Sequence, residues 1–145
     1  MKSNVSLEIR SVRAKDAPFL SGLLHELSFP SSAREITARI KGMHGSALVA
    51  VSGGKVVGLV TTNIMPVLHR PTAVGRVSAL VVSKRVRGRG IGRALVTAAE
   101  KLLEERGCGL VEITSNLRLK DAHSFFRRLG YETTSLRFKK PLNAA

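Results

Sequence analysis

Acidic residues are scarce in this chain: 10 Asp and Glu stand against 24 Lys and Arg, a formal net charge of +14. Such a field draws polyanions and speeds their arrival, so phosphate-rich ligands and nucleic acid both come into view. Aromatics are also few, at 4% with no Trp and one Tyr, which leaves base-stacking platforms poorly supplied. The single cysteine, Cys108, excludes an internal disulfide and fits a reducing compartment. No paired His/Cys cluster of metal-ligand spacing is present, so no metal is expected. The apolar runs at 47–51 and 56–60 are far too short to span a bilayer, so no membrane association is expected. Residues Met1 to Arg10 lack an apolar signal core, and a cytoplasmic protein is the expectation.

What the chain does have is length and apolar content for a core. Its 145 residues, 43% hydrophobic, predict one domain, 1–145, rather than a disordered polymer. The most informative segment is Arg87-Gly88-Arg89-Gly90-Ile91-Gly92, set between the strand-like Leu80-Val81-Val82 and a helical run that begins at Ile91. Three glycines let the backbone turn tightly and approach a ligand closely. The helix that follows presents unpaired N–H groups and the positive end of its dipole, a socket for phosphate. Arg87, Arg89 and Arg93 add cationic donors around it. A Walker A loop would need Gly-Lys-Ser/Thr, which is missing, and a dinucleotide fingerprint starting at Gly88 fails at its sixth position, Arg93. The pattern that fits is Arg-x-x-Gly-x-Gly, at Arg87, Gly90 and Gly92.

Periodicity lays out the rest. A strand is expected at Val5–Val12, a helix from Asp16 to about Leu27, and a second helix near Ala33–Met43 capped by Ser31 or Ser32. Two strands, Ala47–Val51 and Val56–Thr62, read as a hairpin through Gly53-Gly54. Asn63–Gly75, with Pro66 and Pro71, reads as a loop, followed by a strand at Val77–Val82. The helix Ile91–Glu105 turns Ile91, Leu95, Ala98/Ala99 and Leu102 to the core and stops at Gly107. A strand at Leu110–Thr114, a helix at Asp121–Leu129 and a last strand at Tyr131–Lys139 complete the order β-α-α-β-β-β-α-β-α-β. That order implies an α/β fold with a mixed central sheet flanked by helices.

The Arg87 loop resembles the acetyl-CoA pyrophosphate loop, Q/R-x-x-G-x-G/A, of the GCN5-related N-acetyltransferase (GNAT) superfamily. The run from Ala122 through Phe125-Phe126 to Gly130-Tyr131 is similar to that family's A-x-x-F-Y-x-x-x-G-F/Y ending, and the element order is the GNAT order. The resemblance implies an acetyl-CoA-dependent N-acetyltransferase acting on a primary amine of a small molecule or protein, with no metal. It implies that backbone N–H groups from Arg87, Gly88, Arg89, Gly90, Ile91, Gly92 and Arg93 bind pyrophosphate. It implies too that the edge of Leu80, Val81 and Val82 pairs with pantetheine, with Asn116 and Phe126 flanking that arm. Many relatives are dimers, which leaves a homodimer open.

The proton-handling residues depart from the family pattern. Phe126 stands where many members carry a tyrosine acid, and it has no hydroxyl. Tyr131 falls on the G-F/Y position and reads as core; Ser115, Ser124, Cys108 and water stay as donors that spacing does not separate. The stretch Val77-Ser78-Ala79-Leu80 holds no carboxylate, so Glu112, alternating with Val111 and Ile113, is the candidate base. His69 and His123 have suitable intrinsic chemistry without a supporting pattern. Two other readings keep the fold: an RNA-directed acetyltransferase using the basic surface, and a non-catalytic acyl-CoA-binding module. A pure nucleic-acid binder leaves the glycine loop and the Phe-Phe…Gly-Tyr ending unexplained.

Overall fold

The computed structural model describes residues 6–43 and 46–144. The described residues form two compact units, one running up to Ile113 and the other starting at Thr114. In the first, strands β1 (Leu7–Ser11), β2 (Ala47–Ser52), β3 (Lys55–Met65), β4 (Ala73–Val82) and β5 (Cys108–Ile113) form one sheet in the order β1-β2-β3-β4-β5. Every neighbouring pair is antiparallel except β4–β5, which is parallel. Helices α1 (Ala17–Glu26) and α2 (Ala33–Ile40) precede β2, and α3 (Ile91–Glu105) makes the crossover from β4 to β5. This is the expected mixed sheet with helical flanks. Val5, placed in the first strand by its apolar character, lies outside the described residues.

Strand alternation sorts the core into two sets. Ala47, Val49, Leu59 and Val81 pack with Leu20, Leu23 and Ile36 of α1 and α2. Ala50, Val60 and Val77 pack with Ile91, Leu95 and Ala99 of α3. Successive strand side chains point to opposite faces, so the two sets mark the two faces of the sheet. On α3 the buried leucine of the last turn is Leu103, fully enclosed, rather than Leu102. It faces Gly75 of β4, where an added Cβ would come within 2.8 Å of Leu103 Cδ1. Gly53 and Gly54 take φ of 58° and 75°, which a two-residue hairpin turn requires.

Local chemistry fixes the helix starts. Ser32 Oγ accepts from the Glu35 N–H while Glu35 Oε1 accepts from the Ser32 N–H, each at 3.1 Å, a reciprocal cap for α2. Asp16, only 2% exposed, accepts from both Arg10 Nη atoms at 2.8 and 2.9 Å and from the Arg13 N–H at 2.8 Å. The hydrogen bonds from Arg10 hold the Asp16 carboxyl below its ordinary range, and the same pairing raises Arg10.

Two expectations are corrected. The segment Asn63–Gly75 is not a loop throughout: Asn63–Met65 continue β3, Ala73–Gly75 open β4, and Thr62–Met65 pair with Val74–Val77. Pro66 and Pro71 confine the break to residues 66–72, because proline removes a donor only at its own position. Tyr131–Lys139 forms no strand: in the second unit, helix α4 (Lys120–Arg128) is followed by residues 131–144 without regular structure. Leu136 and Phe138 there are 71% and 88% exposed. A strand exists by pairing, and that segment joins no ladder among the described residues.

Candidate functional site

The site begins with a change in how β4 is paired. On one side β4 pairs with β3 from Val74 to Val82. On the other, its ladder with β5 covers only Ala73–Val77, ending at the Val77–Ile113 pair. From Ser78 to Val82 that second edge has no strand partner among the described residues. Backbone groups alternate across a strand, so those not used by β3 face this free edge as a template for an extended ligand. Leu80, Val81 and Val82 lie on it. Their side chains are core, Val81 on the α1–α2 face and Leu80 and Val82 on the α3 face, so what they offer a ligand is backbone.

The fork has a local cause in β4. Thr61 opposes Ala79 and Thr62 opposes Val77, which leaves Ser78 as an extra residue, a β-bulge at the point where β5 departs. Ser78 Oγ lies 2.7 Å from Thr61 Oγ1. Sequence reading missed this pair and the bulge, because a register shift leaves no composition signal.

Immediately beyond Val82 the chain forms the glycine loop. The Ser83 N–H donates to the Val57 carbonyl at 2.8 Å, and a 3-10 turn follows at Lys84–Val86. Glu26, at the end of α1, accepts from the Lys84 N–H at 3.0 Å. Gly88 and Gly90 adopt φ of 79° and 80°, a region that strains any L-residue with a Cβ. A Cβ built at either would meet nothing within 4 Å, so the space before the loop is open. Gly90 is the N-cap of α3 and offers no side chain to cap it. The first i→i−4 bond is Ala94 N–H to Gly90 carbonyl at 3.0 Å, so the N–H groups of Ile91, Gly92 and Arg93 precede the helical ladder. Ile91 itself is buried against the sheet and anchors the helix start. Arg89 and Arg93 are exposed. Arg87 is committed in part: its Nε donates to the Val82 carbonyl at 3.0 Å, tying the loop to the top of β4.

Glu112 lies beside Arg76 on the β4–β5 ladder, and Arg76 lies beside Asn63 on the β3 side. Gly75 and Val77 face α3, so Arg76 between them is on the α1–α2 face. Val111 and Ile113 also pack on the α3 side, which turns Glu112 to the same face as Arg76. Both are half-buried. A cross-strand pair of opposite charge also has a sheet-stabilising use.

The other two expected site residues, Asn116 and Phe126, belong to the second unit. Asn116 Oδ1 accepts from the Arg118 N–H at 2.9 Å, and its carbonyl oxygen is 2.8 Å from His123 Nε2. Phe126 packs edge-on against Phe125 and Tyr131, with centroids 5.3 and 6.1 Å apart. Ser115 Oγ is buried and has no hydrogen-bond partner among the described residues.

In this chain a free half-strand leads into a glycine loop and a bare helix start. The profile of the acetyltransferase (GNAT) family matches residues 12–131. The chain belongs to the GNAT acetyltransferase family. It is therefore an acyltransferase, in a family that uses acetyl-CoA as donor and an amine as acceptor. Among curated proteins it is similar to the aminoalkylphosphonate N-acetyltransferase of Salmonella typhimurium, with 29% identity over 140 residues, 93% of this chain and 91% of the relative. Among solved structures it resembles an acetyltransferase of Trypanosoma brucei at 27% identity and a TM-score of 0.78, covering 94% of this chain and all (100%) of the other. It also has the fold of an aminoglycoside N-acetyltransferase solved in complex with CoA, at 15% identity and a TM-score of 0.85, covering 99% of each chain. No helix among the described residues is long and apolar enough to cross a membrane.

Proposed function

We propose that this GNAT member, working as one catalytic domain in the cytoplasm, moves an acetyl group from acetyl-CoA to the primary amine of a small anionic acceptor of the aminoalkylphosphonate type. The observation that carries the donor half is the unpaired edge of β4 running straight into the Gly88–Gly92 loop. Acetyl-CoA supplies an activated acetyl group there. The N–H groups between Gly88 and Arg93 hold the pyrophosphate, with Arg89 and Arg93 as surrounding cations. The backbone of Ser78–Val82 holds the pantetheine arm as an added strand, and an N–H at Leu80 or Val81 donates to the acyl oxygen. Asn116 and Phe126 belong to this reading as donor-binding residues on their motif positions alone.

For the acceptor, the similarity to an aminoalkylphosphonate enzyme and the net charge of +14 favour a small amine bearing an anionic group. Arg76, half-buried on the α1–α2 face two residues before the free half of β4, is the candidate for that anion. Glu112 is the base that collects the proton from the acceptor nitrogen as its C–N bond to the acetyl carbon forms, the C–S bond breaks and CoA leaves as the thiolate. Calorimetric titration with acetyl-CoA at near-physiological salt tests the donor site. Saturable micromolar binding, lost in Gly90→Asp and Gly92→Asp, is the expected result; no binding by folded wild-type protein overturns the reading. Acetylation of aminomethylphosphonate in preference to an alkylamine of similar size then tests the acceptor class.

A further inference from the structure

The Thr61–Ser78 pair occupies an unusual place. Ser78 is the extra residue of the β4 bulge and the first residue beyond the last rung to β5, so the pair stands at the apex of the fork. Leu59 and Val81 pack on the α1–α2 face, and the two-residue period puts Thr61 and Ala79 on that face with them. The 2.7 Å contact brings the Ser78 hydroxyl to the same side. β3 and β4 are interior strands of a sheet with helices on both faces, yet Ser78 is exposed and Thr61 only half-buried. The helical layer leaves this spot uncovered, and two hydroxyls form its floor.

Within such a pair one hydroxyl hydrogen is used between the two oxygens. One hydrogen and three lone pairs remain for a ligand. That set suits a primary amine, which brings N–H donors. It is also uncharged. Hydroxyls grip the N–H groups without favouring the charged form. We infer that Thr61 and Ser78 are positioning residues that seat the acceptor's amine at the start of the free half of β4. This inference rests on the acetyltransferase reading above and adds to it the residues that meet the acceptor nitrogen.

The competing role is a sheet pair. Cross-strand Thr–Ser hydrogen bonds contribute roughly 0.2–1 kcal/mol to a sheet and need neither a bulge nor an opening. The test uses Thr61→Val, Ser78→Ala, the double variant and Thr61→Ser. Three quantities are read: the KM and kcat for aminomethylphosphonate, calorimetric binding of that amine to protein saturated with CoA, and calorimetric binding of acetyl-CoA alone. A hydrogen bond between uncharged groups contributes about 0.5–1.5 kcal/mol, so amine binding and kcat/KM should fall about 2- to 10-fold in Thr61→Val and Ser78→Ala. Acetyl-CoA affinity should stay within about twofold, because Ser78 meets the donor through its backbone and Thr61 does not meet it. The double variant should be no worse than the poorer single, since either change breaks the shared unit. Thr61→Ser should restore most of the loss. Unchanged amine binding in both single variants, with any effect confined to thermal stability, overturns the inference and leaves the acetyltransferase reading standing. Failure of the wild-type protein to bind acetyl-CoA overturns both.

Discussion

The two halves of β4 have similar apolar composition and opposite uses. Ala73–Val77 is laddered on both edges and pressed against α3, with Gly75 under Leu103 and Val77 in the α3-side core. Ser78–Val82 keeps the β3 ladder and loses the β5 one. Hydrophobic side chains lock both halves in place, but only the second presents backbone polar groups at a free edge. The lesson is that a binding strand need not carry binding side chains. Its side chains supply rigidity, and register with the neighbours decides which backbone atoms are left over.

The largest expected effect comes from attacking the loop that the free half feeds. Gly90→Asp combines a disfavoured φ of 80° with a negative charge at the start of α3. Acetyl-CoA affinity should fall at least about 100-fold, close to 3 kcal/mol at 1.4 kcal/mol per tenfold. Gly90→Ala separates the two causes. It meets no atom within 4 Å, so it retains only the backbone strain of about 1–2 kcal/mol. If calorimetry finds both variants equally weak, charge plays no part and the phosphate assignment of the loop loses its support.

The division between a structural and a working half would be broken by Glu112. It lies on β5 beside the closed half, on the Arg76 rung, and yet is the candidate base. General base catalysis is typically worth 10²–10⁴-fold, so Glu112→Gln should lower kcat by about 100-fold and alter the pH–rate profile. Acetyl-CoA binding should not change. An unaltered pH–rate profile would make Glu112 a partner on the Arg76 rung and nothing more, and the closed half would be architecture alone.

How much of this was readable in advance follows the range of the interactions. The loop and α3 were legible because their signals are local: Gly88 and Gly90 for the turn, and a helical period from Ile91 to Glu105 that matches the structure end to end. The Gly53-Gly54 hairpin was legible for the same reason. The Asn63–Gly75 segment misled because its prolines and polar residues resemble a loop, whereas β3 and β4 pair through Met65 and Val74. Tyr131–Lys139 misled in the other direction, since β-type composition is no strand without a partner. The fork, the bulge and the Thr61–Ser78 contact depend on register between distant segments, which composition does not encode. The assignment of the Arg87 loop as a pyrophosphate site came through resemblance, and the structure adds the open space and bare helix start that suit it.

The closed half can be attacked without touching the loop. A Cβ at Gly75 would lie 2.8–3.1 Å from three atoms of Leu103, which is fully buried and has nowhere to move. Gly75→Val should therefore destabilise the fold by about 1–3 kcal/mol, the usual cost of overpacking. Thermal melting should show a clear fall in Tm, while the fraction still folded binds acetyl-CoA with wild-type affinity. Weakened affinity in that fraction would mean that the closed half sets the geometry of the open one, and the two could not be treated separately.

The finest test concerns the link between strand and loop. Arg87 Nε donates to the Val82 carbonyl at 3.0 Å from an exposed side chain, so the bond competes with water and is worth about 0.5–1.5 kcal/mol. Arg87→Lys keeps the positive charge and loses the planar group that reaches the strand. Arg87→Met removes both. If Arg87 acts by positioning the loop, lysine and methionine should weaken acetyl-CoA by a similar factor, about 2- to 10-fold, with the salt dependence of binding nearly unchanged. If it acts as a charge, lysine should match wild type and methionine alone should flatten the salt dependence, because screening acts on charge and not on a short hydrogen bond. The bond to Val82 already occupies one donor of the side chain and fixes its stem, which favours positioning.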